Sequence, residues 1–179
     1  MRVDFFKLET HGRSHVAWEA LRGKRTKVPG TTMAAGKGIP HDLAQYVIEA
    51  ATGYENGFWD LVAKGATFNS TGRRRTKPGR AVIAAHRTEL AGAEALAGLH
   101  LELWRAGDDS PVSAALSRAL GQWRGLSAAD RLVFDWPSPV GVVVEQHRSA
   151  EGSALLPGRD RRPGGTRPAY GPGSVSRSR

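Results

Sequence analysis

The sequence has no cysteine among its 179 residues. This absence excludes a disulfide framework, a zinc site that uses thiolates and a cysteine nucleophile, and it fits a reducing compartment. A folded part of about 145 residues buries roughly two thirds of the surface of its unfolded chain. We therefore expect a hydrophobic core to stabilise the protein without covalent cross-links.

Long apolar segments are also missing. No run approaches the roughly 18 apolar residues that are needed to span a bilayer. The N-terminal stretch, Met1 to Lys7, lacks the apolar core and the small-residue cleavage site of a signal peptide. We therefore expect a soluble protein of the cytoplasm.

Positive charge is in excess, with a net charge of +9, but it is confined to two segments. Residues 73–80 and 151–179 together account for the whole excess, and the rest of the chain is formally neutral. Arginine and lysine bind phosphates without sequence preference, so these segments predict contact with nucleic acid or another polyanion. The candidate residues are Arg73, Arg74, Arg75, Lys77, Arg80, Arg159, Arg161 and Arg162. The alternative is that both segments are solvated surfaces.

The first forty residues predict strands and a loop. Residues 3–8 and 15–20 flank a four-residue turn, residues 11–14, that contains a glycine, and they predict a β-hairpin. Residues 23–39 are basic and rich in glycine, which predicts a loop with one short strand near 31–35.

Four helices are predicted after this loop. They run from Pro40 to a stop at Gly53, from about Gly57 to Lys64, from Arg80 to Ala106 and from Ser110 to about Trp123. Residues 66–79 are predicted to form a loop. All five tryptophans fall at apolar positions of their elements and are predicted to lie in the core.

Two more strands are predicted after the helices, over residues 131–136 and 140–145, and the valine run of the second suits a strand buried on both faces. The order of strands, helices and strands is typical of an α+β fold. We expect the N-terminal hairpin and the C-terminal strand pair to form a small antiparallel sheet packed on about four helices. Glycine, proline, serine and arginine dominate residues 148–179, which predicts one domain over residues 1–147 and a disordered tail after it.

One helix carries the strongest candidate for a chemical function. His41, Gln45 and Glu49 are spaced four residues apart, so they lie on one helical face, with Asp42 beside them. Zinc-binding helices of the His-Glu-x-x-His type use this spacing. Glutamine is a poor zinc ligand, and no metal site is predicted. The alternative is a polar stripe opposite the core, with Asp42 at the helix start.

The same helix carries a resemblance. Residues 40–49, PHDLAQYVIE, and residues 57–68, GFWDLVAKGATF, resemble a family of small uncharacterised bacterial proteins. In that family the first stretch reads His-Asp-Leu-x-His-Tyr/Phe-x-x-Glu and precedes Gly-Phe-Trp, and residues 132–137 resemble its final strand. The resemblance spans about residues 1–145 and implies a common fold without a function. Gln45 stands where that family has its second histidine.

Two glycine-containing patterns come close to phosphate-binding motifs. Residues 30–38 resemble a P-loop, but the spacer has five residues instead of four and Gly38 replaces the hydroxyl residue that binds magnesium. Residues 36–38 also begin a dinucleotide fingerprint, but His41 occupies the position of its third glycine. We interpret the segment as a loop, and no cofactor is predicted.

Three hypotheses about function follow from the sequence. The first is a non-catalytic intracellular module that contacts a polyanion through the basic loop and tail. The second is a metal-dependent or degenerate enzyme that uses the face of His41, Gln45 and Glu49. The third is a protein–protein interaction module. Whether these three side chains open into a pocket or point to solvent distinguishes the second hypothesis from the others.

Overall fold

A computed structural model of the chain describes residues 1–24, 26–30, 32–34, 36–69 and 76–145. Residues Met1–His147 form one compact unit. Within the described residues the fold is α+β, with one antiparallel sheet of six strands and five helices. The predicted disordered tail lies outside the described residues, and so do Arg73, Arg74 and Arg75 of the basic loop.

The sheet is built around the N-terminal strand. The strands are β1 (Arg2–Thr10), β2 (Arg13–Arg22), β3 (Thr26–Pro29), β4 (Met33–Ala34), β5 (Asp130–Asp135) and β6 (Gly141–Glu145). Their order is β3-β2-β1-β5-β6, and β4 also pairs with β2. Because β1 lies in the centre, it pairs with the hairpin partner β2 on one side and with β5 on the other, where Phe5 is opposite Leu132. The predicted joining of the hairpin and the C-terminal strand pair in one sheet is confirmed.

The hairpin turn is tighter than the four-residue turn that the sequence predicted. His11 and Gly12 alone connect the strands, and both have a positive φ, 52° and 70°. A two-residue turn with two left-handed residues matches the right-handed twist of the strands. As a result both strands continue up to the turn, and Thr10 is opposite Arg13.

Two predictions about strands are wrong. β3 forms where a loop was predicted, because the chain turns back after β2 near Gly23, which has a positive φ, and residues 26–29 pair with residues 19–22. The valine run of β6 is not buried on both faces: Val142 is 62% exposed, and Val143 and Val144 are also exposed. The physical reason is its position, because β6 is the last strand of the sheet order and pairs only with β5 within the described residues.

Helices cover one face of the sheet. They are α1 (His41–Thr52), α2 (Phe58–Ala63), α3 (Lys77–Ala85), α4 (Arg87–Arg105) and α5 (Pro111–Gly125). Every residue of α1 from 43 to 49 is buried, because the helix lies in the core and also contacts α4 and α5. No helix in the described part of the chain is long and apolar enough to cross a membrane.

The predicted helix over residues 80–106 is two helices, α3 and α4, and their boundary is His86, with φ −126° and ψ 34°. α3 also begins earlier than predicted, inside the expected loop. The Thr76 hydroxyl caps it by accepting from the backbone N–H of Gly79 at 3.1 Å, and Pro78 occupies its first turn. In α4 only Ala93 and Ala97 are buried, and Leu96, Leu101 and Trp104 pack against the core partly buried.

Aromatic side chains make up the centre of the core. The Phe5 ring of β1 meets the rings of Tyr46, Trp59 and Phe134 edge to face, with centroids 5.6 to 6.0 Å apart. All five tryptophans lie in this core or pack against it, as predicted: Trp18, Trp59 and Trp123 are buried, and Trp104 and Trp136 are partly buried. The packing ties the sheet, α1 and α2 together.

The approach of Gly30 to the Trp18 indole provides a test of this packing. A Cβ at Gly30 would overlap the indole ring, whereas a Cβ at Gly36 meets no atom within 4 Å. We expect Gly30→Ala to lower the free energy of unfolding by about 1–3 kcal/mol, because overpacking forces the indole to move. Urea denaturation measures this loss, and Gly36→Ala is the matched control. Equal effects of the two substitutions would contradict the packing described here.

Candidate functional site

A cleft of about 410 Å³ lies between the start of α1, the start of α2 and the first turns of α4. This volume falls within the range of small-molecule sites, about 300 to 1,000 Å³. One side of the cleft is polar and consists of His41, Asp42, Gln45 and Glu94. The other is apolar and includes Phe58, Phe68 and Leu90. Three of the four residues singled out on α1 therefore open into a cleft.

Asp42 is held in place by two tryptophans. Its Oδ2 accepts a hydrogen bond from the Trp18 indole at 2.8 Å, and its backbone carbonyl accepts one from the Trp59 indole at 3.2 Å. No side chain caps the first residues of α1, where Pro40 precedes the helix. The two indoles therefore connect the start of α1 to β2 and to α2, and they fix the position of the Asp42 carboxylate at the cleft.

His41 lies between two carboxylates. Its Nδ1 is 3.3 Å from Asp42 Oδ1, and its Nε2 is 3.8 Å from Glu94 Oε2. The hydrogen bond to Asp42 raises the pKa of His41 above its ordinary value, although burial opposes this shift; the charges of Asp42 and Glu94 act in the same direction. The side chain is 55% exposed. When Nδ1 donates to Asp42, the other ring nitrogen, Nε2, faces the Glu94 carboxylate.

Gln45 connects the cleft to the core. Its amide nitrogen donates to Glu49 Oε1 and to Glu94 Oε1, both at 3.1 Å. Both N–H groups of the amide are thus used, one by a carboxylate at the cleft and one by a carboxylate inside the protein. Gln45 is 3% exposed and Glu49 is 0% exposed, so the interpretation of these residues as a solvated polar stripe is wrong.

Glu49 caps a helix from outside it. Its Oε1 accepts from the backbone N–H of Phe58 at 3.0 Å, and its Oε2 accepts from that of Trp59 at 2.9 Å. These are two of the N–H groups that the start of α2 leaves without intrahelical partners. A Cβ at Gly57 would lie 2.6 Å from the carboxylate, so a glycine there permits the close approach.

The burial of Glu49 raises its pKa to about 7, although the three hydrogen bonds to Trp59, Phe58 and Gln45 lower it. Both carboxylate oxygens are engaged, and Glu49 is fully buried and is not among the residues that line this cleft. In the described part of the chain no group of three or more histidine, aspartate or glutamate side chains is arranged to hold a metal ion.

Sequence reasoning missed the part of the cleft that α4 and Phe68 contribute. Glu94 of α4 accepts a hydrogen bond from Gln45 across 49 residues of sequence, a separation that no local pattern reveals. Of the candidate polyanion-binding residues, Lys77 and Arg80 lie exposed in the first turn of α3. The other six, Arg73, Arg74, Arg75, Arg159, Arg161 and Arg162, lie outside the described residues.

The raised pKa of Glu49 predicts a dependence of stability on pH. The folded state binds this proton more tightly than the unfolded chain, whose glutamate titrates near 4.5. The resulting stabilisation is complete below pH 4.5 and is lost as the pH rises to about 7. At 1.36 kcal/mol per pKa unit, the loss is roughly 3 kcal/mol.

Glu49→Gln, which cannot titrate, isolates this effect. We expect the unfolding free energy of the wild type minus that of this variant to fall by roughly 3 kcal/mol as the pH rises through that window. Urea denaturation at each pH measures both values. Exposed Glu55, changed to glutamine, is the control and should leave the pH dependence as it is. If this difference stays constant across the window, Glu49 is not a buried carboxylate with a raised pKa.

Comparisons of the chain with known protein families, with curated proteins and with solved structures find no match. The function must therefore be argued from the geometry of the cleft and from the distribution of charge.

Proposed function

We propose that the protein binds a small ligand with a cationic amine or guanidinium group next to an apolar portion. The observation that carries this proposal is the pairing, in one cleft, of the Asp42 and Glu94 carboxylates with the aromatic side chains of Phe58 and Phe68. Such a site combines charge recognition with apolar contact, which is how small-molecule pockets usually fix a ligand.

The sign of the charge favours a cation. Asp42 and Glu94 contribute two negative charges, and the cleft lining within the described residues includes no lysine or arginine. His41 already faces one carboxylate with each ring nitrogen. A bound ammonium group gains charge-assisted hydrogen bonds from the carboxylates, whereas an anion meets like charge there.

The apolar side suits the rest of such a ligand. The rings of Phe58 and Phe68 have centroids 4.7 Å apart and are tilted by 39°. Ring faces attract a cation directly and also provide apolar area for the carbon portion of the ligand.

Benzylammonium is a suitable probe, with the neutral benzyl alcohol as the matched ligand. We expect the wild type to bind benzylammonium more tightly, and we expect Glu94→Gln to weaken that binding about tenfold, because a charged hydrogen bond is lost. Glu102→Gln on the exposed side of α4 makes the same change of net charge away from the cleft and should have no effect. Isothermal titration calorimetry measures the four affinities. Equal binding of the amine and the alcohol would overturn the proposal.

A second candidate function, contact with a polyanion, is supported by a separate observation. Lys77 and Arg80 are exposed in the first turn of α3, and that turn has no acidic residue. Cations do not stabilise a helix N-terminus, so their presence there favours a role outside the helix itself. Together with the arginines of residues 73–75 and 159–162, they form the basic set that the sequence singled out.

The salt dependence of DNA binding tests this candidate. Each cation that contacts a phosphate adds close to one unit to the slope of log affinity against log salt. We expect Lys77→Gln/Arg80→Gln to reduce the slope for a labelled duplex by about two units. Arg105→Gln/Arg118→Gln, which removes two other exposed cations, is the control. If the two double variants bind DNA with equal slopes, α3 has no part in polyanion contact.

A further inference from the structure

We propose that the ligand of the cleft is elongated and that its apolar arm occupies a second cavity on the other side of His41. This inference rests on the proposed function and names the ligand class more closely: a primary amine with a linear hydrocarbon chain. The second cavity, which we call the glycine pocket, has a volume of about 250 Å³. Its lining includes Val16, Met33, Ile39 and Pro40 together with Gly36 and Gly38.

His41 belongs to both cavities. Its side chain borders the cleft and the glycine pocket and is 55% exposed. In the proposed complex, a ligand whose ammonium group is bound by Asp42 and Glu94 extends past this side chain into the pocket. The two cavities are neighbours that share His41; Glu94 of α4 lines the first, and Met33 and Ala34 of β4 line the second.

The chemistry of the glycine pocket suits a hydrocarbon. Val16, Ile39 and Pro40 supply rigid apolar walls, and His41 is the only titratable side chain that lines it within the described residues. Met33 is 36% exposed, and a flexible thioether adapts to chains of different shape. Within the described residues this lining has no lysine, arginine, serine or threonine side chain to bind a phosphate, so it does not support nucleotide binding at the near match to a P-loop.

Two exposed glycines, Gly36 and Gly38, line the pocket. A Cβ at Gly36 or at Gly38 meets no atom within 4 Å, and neither residue has a positive φ. The fold of the described residues therefore does not require glycine at either position. At both positions the backbone tolerates a larger side chain, and because both residues line the pocket we expect a leucine there to compete with the ligand for space.

The test uses the full-length protein and n-alkylammonium ions from butyl to octyl, with benzylammonium as a probe of the cleft alone. Burial of each methylene corresponds to about a threefold to fourfold gain in affinity. We expect octylammonium to bind the wild type about 100-fold more tightly than butylammonium, and we expect Gly38→Leu to reduce that ratio to below about 10. Benzylammonium should bind both proteins equally. Gly98→Leu, an equivalent change on exposed α4, is the control.

Met33→Gln is a second variant that makes the pocket more polar without filling it, and it should also reduce the ratio between octylammonium and butylammonium. A wild-type affinity that does not rise with chain length, or a rise that persists in both pocket variants, would overturn the elongated ligand. In either case benzylammonium binding would still support the proposed function. Failure of the wild type to bind benzylammonium would instead overturn the proposed function itself.

Discussion

The buried carboxylate of Glu49 is the constraint on which the rest of the site depends. An ionised carboxylate inside a protein is costly unless hydrogen bonds replace the water that it loses. Here the two backbone N–H groups at the start of α2 and the amide of Gln45 supply them. Because Phe58 is the first residue of α2, the same bonds that satisfy Glu49 also set the position of an aromatic ring in the cleft.

A continuous series of polar contacts leads from this carboxylate to the cleft surface. Gln45 donates to Glu49 and to Glu94, and Glu94 faces His41, which in turn faces Asp42. Asp42 accepts from the Trp18 indole and faces His41, and Glu94 accepts from Gln45 and faces His41. In the proposed complex a cationic group adds donors to these two carboxylates. The glycine pocket extends the apolar surface that Phe58 and Phe68 provide in the cleft.

Local patterns in the sequence predicted most of the architecture. The hairpin, the C-terminal strand pair, the Ser110 cap of α5 and the α+β class depend on alternation, turn residues and caps, all of which are local. The break at His86 escaped prediction because the apolar periodicity runs across it. The burial predicted for the valines of β6 was also wrong. Burial of a strand depends on its place in the sheet, and a run of valines has the same sequence in an edge strand as in a central one.

The site was harder to predict because its partners are distant in sequence. The sequence indicates that Gln45 and Glu49 are surface residues, because polarity is the only local sign of exposure. The groups that make their burial possible belong to α2 and α4. Glutamine at position 45 has a property that a histidine there would lack. A neutral imidazole has one N–H and donates to two carboxylates only when it is protonated, whereas the amide donates to both at any pH. In this chain the connection between Glu49 and Glu94 therefore does not require a protonated residue 45, and the titratable groups of the series are the carboxylates and His41.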